Sequence, residues 1–282
     1  MQSISADLAN AIHRAVAFAL DEDIGAGDIT AELIAPEQRA EASIITREAC
    51  VLCGVAWVEE VFAQLGGEVS LHWQAADGDE VAAGAELLRL AGPARTLLTG
   101  ERTALNFLQT LSATATAARE FARGLEGSSL VALDTRKTLP CLRQAQKYAV
   151  RVGGCHNHRM GLYDAFLIKE NHIAACGSIA LAVARARSLH PDKPVIVEVE
   201  TLAEYDQAAA AGADRIMLDD FSAEALAEVQ ARGGSVPLEV SGSVDAARAR
   251  DLTRAGIQAV SSGALTKHVR AIDLSMRLGL TR

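Results

Sequence analysis

Polar side chains suited to binding or catalysis stand at the end of, or directly after, each of six short apolar runs in the C-terminal part of the chain. They supply guanidinium, ammonium, carboxylate, imidazole and hydroxyl groups. The polar stretches are residues 134–138, 169–172, Glu198 with Glu200, Asp219 with Asp220, 241–243 and 261–264. If the six runs are parallel strands of an α/β barrel, their carboxyl ends share the face on which such barrels carry the active site. We therefore expect these residues to converge, although they are scattered along the sequence.

Positive charge is concentrated between Asp134 and His172, where seven basic residues occur with three acidic ones, in a chain of formal net charge −9. Arg136, Lys137 and Lys169 directly follow apolar runs. Because arginine binds carboxylate or phosphate through paired hydrogen bonds, this arrangement predicts a pocket for a small anionic ligand. Three other basic residues follow Pro140 at helical spacing and are interpreted as a solvated helix face: Arg143, Lys147 and Arg151.

Two carboxylates, Glu198 and Asp219, belong to consecutive predicted strands, which lie about 5 Å apart in a sheet. Mg²⁺ binds in proteins through one or two carboxylates together with substrate phosphates. The pair therefore predicts a magnesium site beside a phosphate-bearing ligand. The alternative is that the carboxylates form buried ion pairs with Lys137 and Lys169, and the two interpretations are compatible when ligand is absent.

Small residues follow the last two predicted strands, at Ser241-Gly242-Ser243 and at Ser262-Gly263-Ala264. Helices are predicted after both. Backbone N–H groups and a helix N-terminus in such a loop can bind a phosphate, and the final two strands are the usual place for it in these barrels. The two loops together predict a phosphate site.

The cysteines and histidines predict no zinc or redox site. Cys50 and Cys53 form a CxxC motif without a second pair and are interpreted as residues of a half-buried strand. Residues 155–158, Cys-His-Asn-His, have no remote partner at ligand spacing, and structural zinc needs four well-spaced ligands. Five cysteines in a chain of this length indicate a reducing compartment.

The elements that must position the site differ between the two parts of the chain. The first hundred residues predict an α+β module with a partly antiparallel sheet. Its predicted helices are 5–20 and 54–65, and its predicted strands are 39–52, 68–73 and 86–90. A long helix from about Gly100 to Leu125 follows.

Beyond this helix, apolar strands alternate with amphipathic helices, which predicts βαβ units and a parallel sheet. The predicted strands are 130–133, 165–168, 195–199, 215–218, 238–240 and 259–260. About 160 residues are too few for an eight-unit barrel, which typically takes about 250. The predicted fold class is therefore α/β, with an incomplete parallel barrel of about six strands and an N-terminal α+β domain.

Composition excludes several classes of protein. Lys and Arg number 27 against 36 Asp and Glu, which argues against a nucleic-acid binder because such proteins need a basic face. No run approaches the ~18 consecutive apolar residues of a membrane span. The N-terminus lacks the basic start and apolar run of a secretory signal, so a cytoplasmic location is predicted.

The run DTRKTLPCLRQAQKYAVRVGGCHNHRMGLYDAFLIKENH resembles the signature of the quinolinate phosphoribosyltransferase family. Five further segments resemble the same family in the same order: ERTALNFLQTLSATAT, VEVETL, IMLDDF, LEVSGSV and GALTKHVRAID. The resemblance implies conversion of quinolinate and phosphoribosyl pyrophosphate (PRPP) to nicotinate mononucleotide, pyrophosphate and CO₂, with Mg²⁺, in NAD biosynthesis. It also implies a sandwich domain over 1–105, rejoined by 268–282, and a barrel domain over 106–267.

The resemblance also implies roles for individual residues. The quinolinate carboxylates would be held by Arg136, His158, Arg159 and Lys169, beside Thr135, with Lys137 between quinolinate and pyrophosphate. Glu198 and Asp219 would serve the ribose and its Mg²⁺. The 5′-phosphate would be bound by Ser241, Gly242, Ser243, Ser262, Gly263 and Ala264. Arg102 would reach the site of the partner subunit in a homodimer, and a higher oligomer is left open.

The chain departs from the family pattern at four positions: Cys141 and Cys155 stand where glycine is expected, Asp220 where asparagine is expected, and Ser243 in a loop that often reads SGG or SGN. None of these is a charged site residue.

Three alternative functions are left open. They are the homologous family associated with molybdenum transport operons, a nicotinate phosphoribosyltransferase that does not decarboxylate, and an inert protein that binds phosphoribosyl metabolites.

Overall fold

The computed structural model describes residues 4–242 and 246–280, so the predicted phosphate ligand Ser243 lies outside the described residues. The helices are α1 (Ala6–Ile24), α2 (Val55–Gln64), α3 (Ala94–Gly124), α4 (Arg143–Val152), α5 (Glu170–Cys176), α6 (Ile179–Leu189), α7 (Leu202–Ala210), α8 (Ala223–Arg232), α9 (Ala246–Arg254) and α10 (Ala264–Lys267), with a 3₁₀ turn at Ala31–Leu33. The strands are β1 (Arg39–Thr46), β2 (Cys50–Val51), β3 (Ser70–Trp73), β4 (Glu80–Val81), β5 (Glu86–Pro93), β6 (Val131–Leu133), β7 (Phe166–Ile168), β8 (Val195–Val199), β9 (Arg215–Leu218), β10 (Leu238–Ser241), β11 (Ala259–Ser261) and β12 (Leu274–Leu280).

The chain divides into two compact units. The N-terminal unit comprises Met1–Glu120, Leu139–Gly154 and His268–Arg282, and the barrel unit comprises Phe121–Thr138 and Cys155–Lys267. Residues 106–120 and 139–154 thus group with the N-terminal unit, whereas the sequence prediction placed them in the barrel domain. Their apolar side chains explain this grouping, since Leu108, Leu111 and Tyr148 belong to the N-terminal core.

The N-terminal unit has an antiparallel sheet in the order β12-β1-β5-β3. Alternate residues of β1 are buried, and Ala42 pairs with Leu278 of β12 and with Leu90 of β5. Helix α1 buries Leu8, Ile12, Val16 and Leu20, which recur at helical spacing along one face. The predicted strand 39–52 is interrupted after Thr46, and β2 pairs separately with β4.

The solvated face predicted for α4 is wrong for Lys147, which is fully buried. Helix α4 packs in the N-terminal core through Ala145, Tyr148 and Ala149. The Tyr148 ring lies 5.4 Å from that of Trp57, and its hydroxyl donates to Asp77 at 2.7 Å. Because Tyr148 and its neighbours pack this face of α4 into the core, the adjacent Lys147 side chain is buried with them.

The CxxC cysteines are both buried, Cys50 in β2 and Cys53 just before α2. Burial raises the pKa of both thiols, and for Cys53 the nearby Asp77 carboxylate raises it further. Both thiols are therefore poor sources of the thiolate that metal binding and redox exchange require.

The barrel unit contains six parallel strands in the order β6-β11-β10-β9-β8-β7, a partial α/β barrel as predicted. Each of the six predicted strands is present within a residue or two. The intervening helices begin at residues that can cap them: Ser178, Thr201 and Ser222 accept a hydrogen bond from a backbone N–H of the first turn. Among residues 4–242 and 246–280, no helix combines the length and apolar character needed to cross a bilayer.

Candidate active site

A cavity of about 150 Å³ lies at the carboxyl ends of the barrel strands. Its walls come from every strand of the sheet or from the residues that follow it. The lining residues are Thr135, Arg136, Lys137, His158, Arg159, Leu167, Lys169, Glu198, Met217, Ser241 and Ser261. A larger cavity of about 540 Å³ in the N-terminal unit contains none of the predicted site residues among its lining. The convergence predicted from the strand ends is therefore present in the barrel unit.

Strand register explains why these side chains meet. Glu198 of β8 pairs with Met217 of β9, and Ser241 of β10 pairs with Ser261 of β11. Successive residues of a strand point to opposite sides, so residues at one level of neighbouring strands share the interior. Leu167 and Met217 were not predicted, because they stand inside strands whose sequences read only as apolar, whereas Ser261 belongs to the last of the polar stretches expected to converge.

Lys169 and Glu198 form a close charge pair in the site. Ile168 pairs with Val197, so the next residues, Lys169 and Glu198, are neighbours. The Lys169 ammonium donates to both carboxylate oxygens, at 2.8 and 2.6 Å. The Glu198 side chain is only 10% exposed, against 40% for Lys169. Of the ion pairs considered from the sequence, between the carboxylates and Lys137 or Lys169, the one between Lys169 and Glu198 is thus present.

Arg136 and Arg159 bring positive charge to the same cavity. Burial lowers the pKa of the Arg159 guanidinium, and the charge of Arg136 lowers it further, while Asp164 opposes the shift. Arg159 donates to the Ala165 carbonyl at 3.1 Å, and its buried Nε makes no hydrogen bond with the described residues. A bound anion would offset the repulsion between the two guanidinium groups.

The backbone of His158 is held by the buried carboxylate of Asp134. Asp134, fully buried, accepts from the His158 backbone N–H at 2.9 Å and from the Asn157 amide at 2.6 Å. The His158 ring accepts at Nδ1 from the Arg159 backbone N–H at 2.7 Å, and Nε2 lies 3.6 Å from the Glu239 carboxylate. Nδ1 is therefore engaged by the backbone, whereas Nε2 lies just beyond hydrogen-bond distance from the Glu239 carboxylate.

Glu239 is a buried acid that the sequence reasoning missed. It stands in β10 two residues before Ser241, and strand alternation could have placed both on the interior face. Its carboxylate is fully buried and accepts from Arg215 at 3.1 Å.

Lys137 packs directly on Gly263. A Cβ built at Gly263 would lie 2.7 Å from Lys137 Cδ and 3.3 Å from the Thr135 hydroxyl. The Thr266 hydroxyl donates to the Lys137 carbonyl at 2.8 Å, and the Thr135 hydroxyl accepts from the Lys137 N–H at 3.1 Å. Gly263 thus makes room for the lysine at the end of β6.

The remaining predicted residues are not among those that line the cavity. Asp219 is half-buried just after β9, and its N–H donates to the Val199 carbonyl. Gly242 follows β10, and Ser262, which accepts from the Ala264 N–H at 3.3 Å, follows β11. Arg102 is exposed on α3 of the N-terminal unit.

No cluster of three or more His, Cys, Asp and Glu side chains that could hold a metal occurs in the described parts of the chain. Glu198 and Asp219 supply two carboxylates on neighbouring strands, and Lys169 already engages one of them. This donor set fits Mg²⁺ that arrives with substrate phosphates, and it does not form a complete protein cage.

Family models match almost the whole chain. Residues 28–112 match the N-terminal domain of quinolinate phosphoribosyl transferase and residues 114–277 match its C-terminal domain. The probable nicotinate-nucleotide pyrophosphorylase [carboxylating] of Bacillus subtilis is 40% identical, with 92% of this chain and 91% of that protein covered. The nicotinate-nucleotide pyrophosphorylase [carboxylating] of Mycobacterium leprae is 38% identical, with 92% and 94% covered.

A solved structure shows the same architecture. The nicotinate-nucleotide pyrophosphorylase of Francisella tularensis superposes with a TM-score of 0.89 at 44% identity, covering 99% of this chain and 100% of that one. Sequence and fold agree over both units, and the cationic strand-end cavity occupies the place where α/β barrels carry their active sites. The chain therefore belongs to the quinolinate phosphoribosyltransferase family.

Proposed function

We propose that this protein transfers the phosphoribosyl group of PRPP to quinolinate and releases pyrophosphate and CO₂, which yields nicotinate mononucleotide for NAD biosynthesis. The observation that carries the proposal is the cavity in which Arg136, Arg159 and Lys169 stand beside the carboxylate of Glu198. The three cationic side chains can bind the two carboxylates of quinolinate, and the Glu198 carboxylate can stabilise a ribose that becomes positively charged. Membership of the family supports the same reaction.

The cationic residues are assigned to quinolinate. Arg136 and Arg159 offer planar guanidinium groups that match a carboxylate, and Lys169 offers an ammonium to the second one. Lys137 is assigned to the space between quinolinate and the leaving pyrophosphate. His158 is assigned to the quinolinate carboxylates beside these cationic residues, because it lines the same cavity.

The acidic residues are assigned to the ribose. When the bond between C1 of the ribose and pyrophosphate breaks, the electron pair leaves with pyrophosphate and positive charge develops on the ring. The Glu198 carboxylate, held in place before reaction, stabilises that charge. Glu198 and Asp219 are the carboxylates that would hold Mg²⁺, which would neutralise negative charge on the pyrophosphate.

The quinolinate nitrogen then forms the bond to C1. The resulting pyridinium nitrogen stabilises the electron pair that remains on C2 when CO₂ departs, and a proton from solvent replaces the carboxylate. No covalent enzyme intermediate is needed, so orientation and charge placement are the contributions of the protein.

The phosphate and subunit assignments rest on the loops and on the family. Ser241, Gly242, Ser262, Gly263 and Ala264 are assigned to the 5′-phosphate, with Ser243. Gly263 also has the separate task of accommodating Lys137. A homodimer in which Arg102 enters the partner subunit's site, and a cytoplasmic location, stay predictions.

Labelled substrate tests the proposal. Purified protein is mixed with PRPP, Mg²⁺ and quinolinate carrying ¹⁴C in the 2-carboxyl group, and labelled CO₂ is measured against nicotinate mononucleotide. Equimolar release that stops on chelation of the metal is expected. Product formed from nicotinate without CO₂ would identify the non-decarboxylating alternative. Binding of both substrates without turnover would identify an inert binding protein.

A further inference from the structure

The interior of the barrel contains a polar chain that runs from Arg215 through Glu239 to His158. Arg215 begins β9 and its side chain is 35% exposed, whereas the Glu239 side chain is fully buried and that of His158 is 6% exposed. Arg215 donates to Glu239 Oε2 at 3.1 Å, and the same oxygen lies 3.6 Å from His158 Nε2. The assigned roles of the active site make no use of Glu239 or Arg215.

The hydrogen bonds of His158 fix the position of its ring proton. Nδ1 accepts from the Arg159 backbone N–H at 2.7 Å, so Nδ1 carries a lone pair. In the neutral ring the proton is then on Nε2, which faces Glu239. A negative charge at Glu239 favours that tautomer over the one with the proton on Nδ1.

The alternative tautomer would disturb Arg159. With the proton on Nδ1, the ring would present a donor to the Arg159 N–H, which is itself a donor, and the bond between them would be lost. Arg159 lies next to His158 in the cavity wall and carries a guanidinium whose placement decides how well it meets a carboxylate. The carboxylate of Glu239 thus acts on Arg159 through the ring between them.

Burial of Glu239 also indicates a role other than stability. Its Oε1 makes no hydrogen bond with any residue in the described ranges, so a buried charge is held with only part of its capacity satisfied. Buried ionic groups are often replaceable by apolar ones without loss of stability. A function in orienting the site accounts for a carboxylate at this position.

We propose that Glu239 is a positioning residue: it keeps the His158 proton on Nε2 and thereby fixes Arg159 for the quinolinate carboxylate. The proposal rests on the proposed function for its substrate. Arg215 compensates the buried charge from the other side. The chemical consequence is confined to quinolinate, because neither Glu239 nor His158 is assigned to PRPP.

The test compares Glu239→Gln with wild type by two readouts. Two-dimensional ¹H–¹⁵N spectra of ¹⁵N-histidine protein report which ring nitrogen carries the proton, with the His158 signals assigned from His158→Asn. Steady-state kinetics give the KM of each substrate. The Gln amide can donate to Nε2, so we expect His158 to shift toward the Nδ1–H tautomer. We also expect the KM for quinolinate to rise roughly tenfold or more with an unchanged KM for PRPP.

Glu228→Gln is the matched control, since Glu228 is 59% exposed and pairs with Arg232 on the same unit. An unchanged His158 tautomer in Glu239→Gln, or an equal rise of both KM values, would overturn the proposal. Should that variant fail to fold, Arg215→Lys keeps both the Glu239 carboxylate and a cation beside it and must retain the Nε2–H tautomer; loss of that tautomer would also overturn the proposal. The tautomer is read without turnover, so absence of CO₂ release by wild type would contradict only the proposed function.

Discussion

Lys169 donates to both carboxylate oxygens of Glu198, at 2.8 and 2.6 Å, where β7 lies beside β8. The pair joins the two substrate pockets proposed for the site, because the ammonium is assigned to quinolinate and the carboxylate to the ribose. Each charge compensates the other while no substrate is bound. A quinolinate carboxylate that engages Lys169 would draw part of the ammonium's hydrogen bonding away from Glu198, and the freed carboxylate would then face the ribose.

Replacing Glu198 by Gln should therefore lower kcat by roughly 10²-fold or more, the scale seen when one preorganised electrostatic group is removed. The amide keeps the shape of the side chain but cannot offset positive charge on the ribose. The measurement is initial-rate CO₂ release at saturating substrates. Glu224→Gln, in the exposed first turn of α8, is the control and should keep the wild-type rate. An unaffected rate in Glu198→Gln would remove Glu198 from the mechanism.

Replacing Arg136 by Ala should weaken quinolinate binding and spare PRPP. Loss of a charge-assisted hydrogen bond costs about 1.5–3 kcal/mol, which corresponds to roughly a 10- to 200-fold rise in Kd. Calorimetric titration of each substrate separates the two effects. Arg254→Ala removes an exposed arginine of α9 on the same unit and should change neither affinity. An equal loss of affinity for both substrates would show that Arg136 does not belong to the quinolinate pocket.

Replacing Gly263 by Ala should impair the chemistry through Lys137. The added methyl carbon would stand 2.7 Å from Lys137 Cδ, so the lysine must leave its position at the end of β6. We expect kcat to fall by about tenfold or more, since small displacements of positioned groups are costly. Gly124→Ala is the control: a Cβ at Gly124 would have no atom within 4 Å, so this variant should keep the wild-type kcat. A wild-type rate in Gly263→Ala would mean that Lys137 tolerates displacement.

Replacing Cys141 by Gly should stabilise the protein. Cys141 has φ +62°, a left-handed conformation that costs a residue with a Cβ about 1–2 kcal/mol. The greater freedom of glycine in the unfolded chain offsets about 0.4–1 kcal/mol of that gain. Urea unfolding of the whole protein should show the difference in unfolding free energy. Cys155→Gly removes a buried side chain instead and should destabilise, so the two glycine substitutions should have opposite signs.

The pH dependence of stability should carry a contribution from Asp77. Burial raises the pKa of Asp77, against the hydrogen bonds it accepts from Tyr148, Val55 and Gly54. A folded-state pKa above the unfolded one means that the folded protein holds the proton more tightly. The stabilising contribution is thus complete below the ordinary aspartate pKa of 3.8 and is lost as pH rises through the folded-state pKa. The unfolding free energy of wild type minus that of Asp77→Asn should therefore fall as pH rises from about 4 toward 7, and a rising difference would contradict the shift.

The strand ends could be read from the sequence because two independent patterns agree there. An apolar run fixes each strand, and a polar residue directly after it, as at Arg136 or Lys169, must stand at the carboxyl edge. The positive φ of Cys141 and Asp220 similarly explains why the family pattern expects glycine and asparagine at these positions.

Other features could not be predicted because they depend on tertiary packing, which no local sequence pattern reveals. Lys147 has the spacing of a solvated face, but the apolar neighbours Tyr148 and Ala149 draw α4 into a core. Asp219 and Glu198 are both acids of consecutive strands, yet only Glu198 lies at the level of the cavity. The contact of the His158 ring with the Arg159 backbone N–H, and its approach to Glu239, likewise have no local signature in the sequence.

The parallel pairing of β6 with β11 brings Val131 beside Ala259. On a ribosome, β6 therefore emerges long before its partner exists, and the edge that pairs with β11 stays unpaired while α4 to α9 are synthesised. Closure of so large a loop makes folding slow, and an unpaired apolar edge invites association with other chains. The last strand of the barrel unit thus completes the sheet late, and a chain truncated before β11 is expected to aggregate rather than to accumulate as a folded fragment.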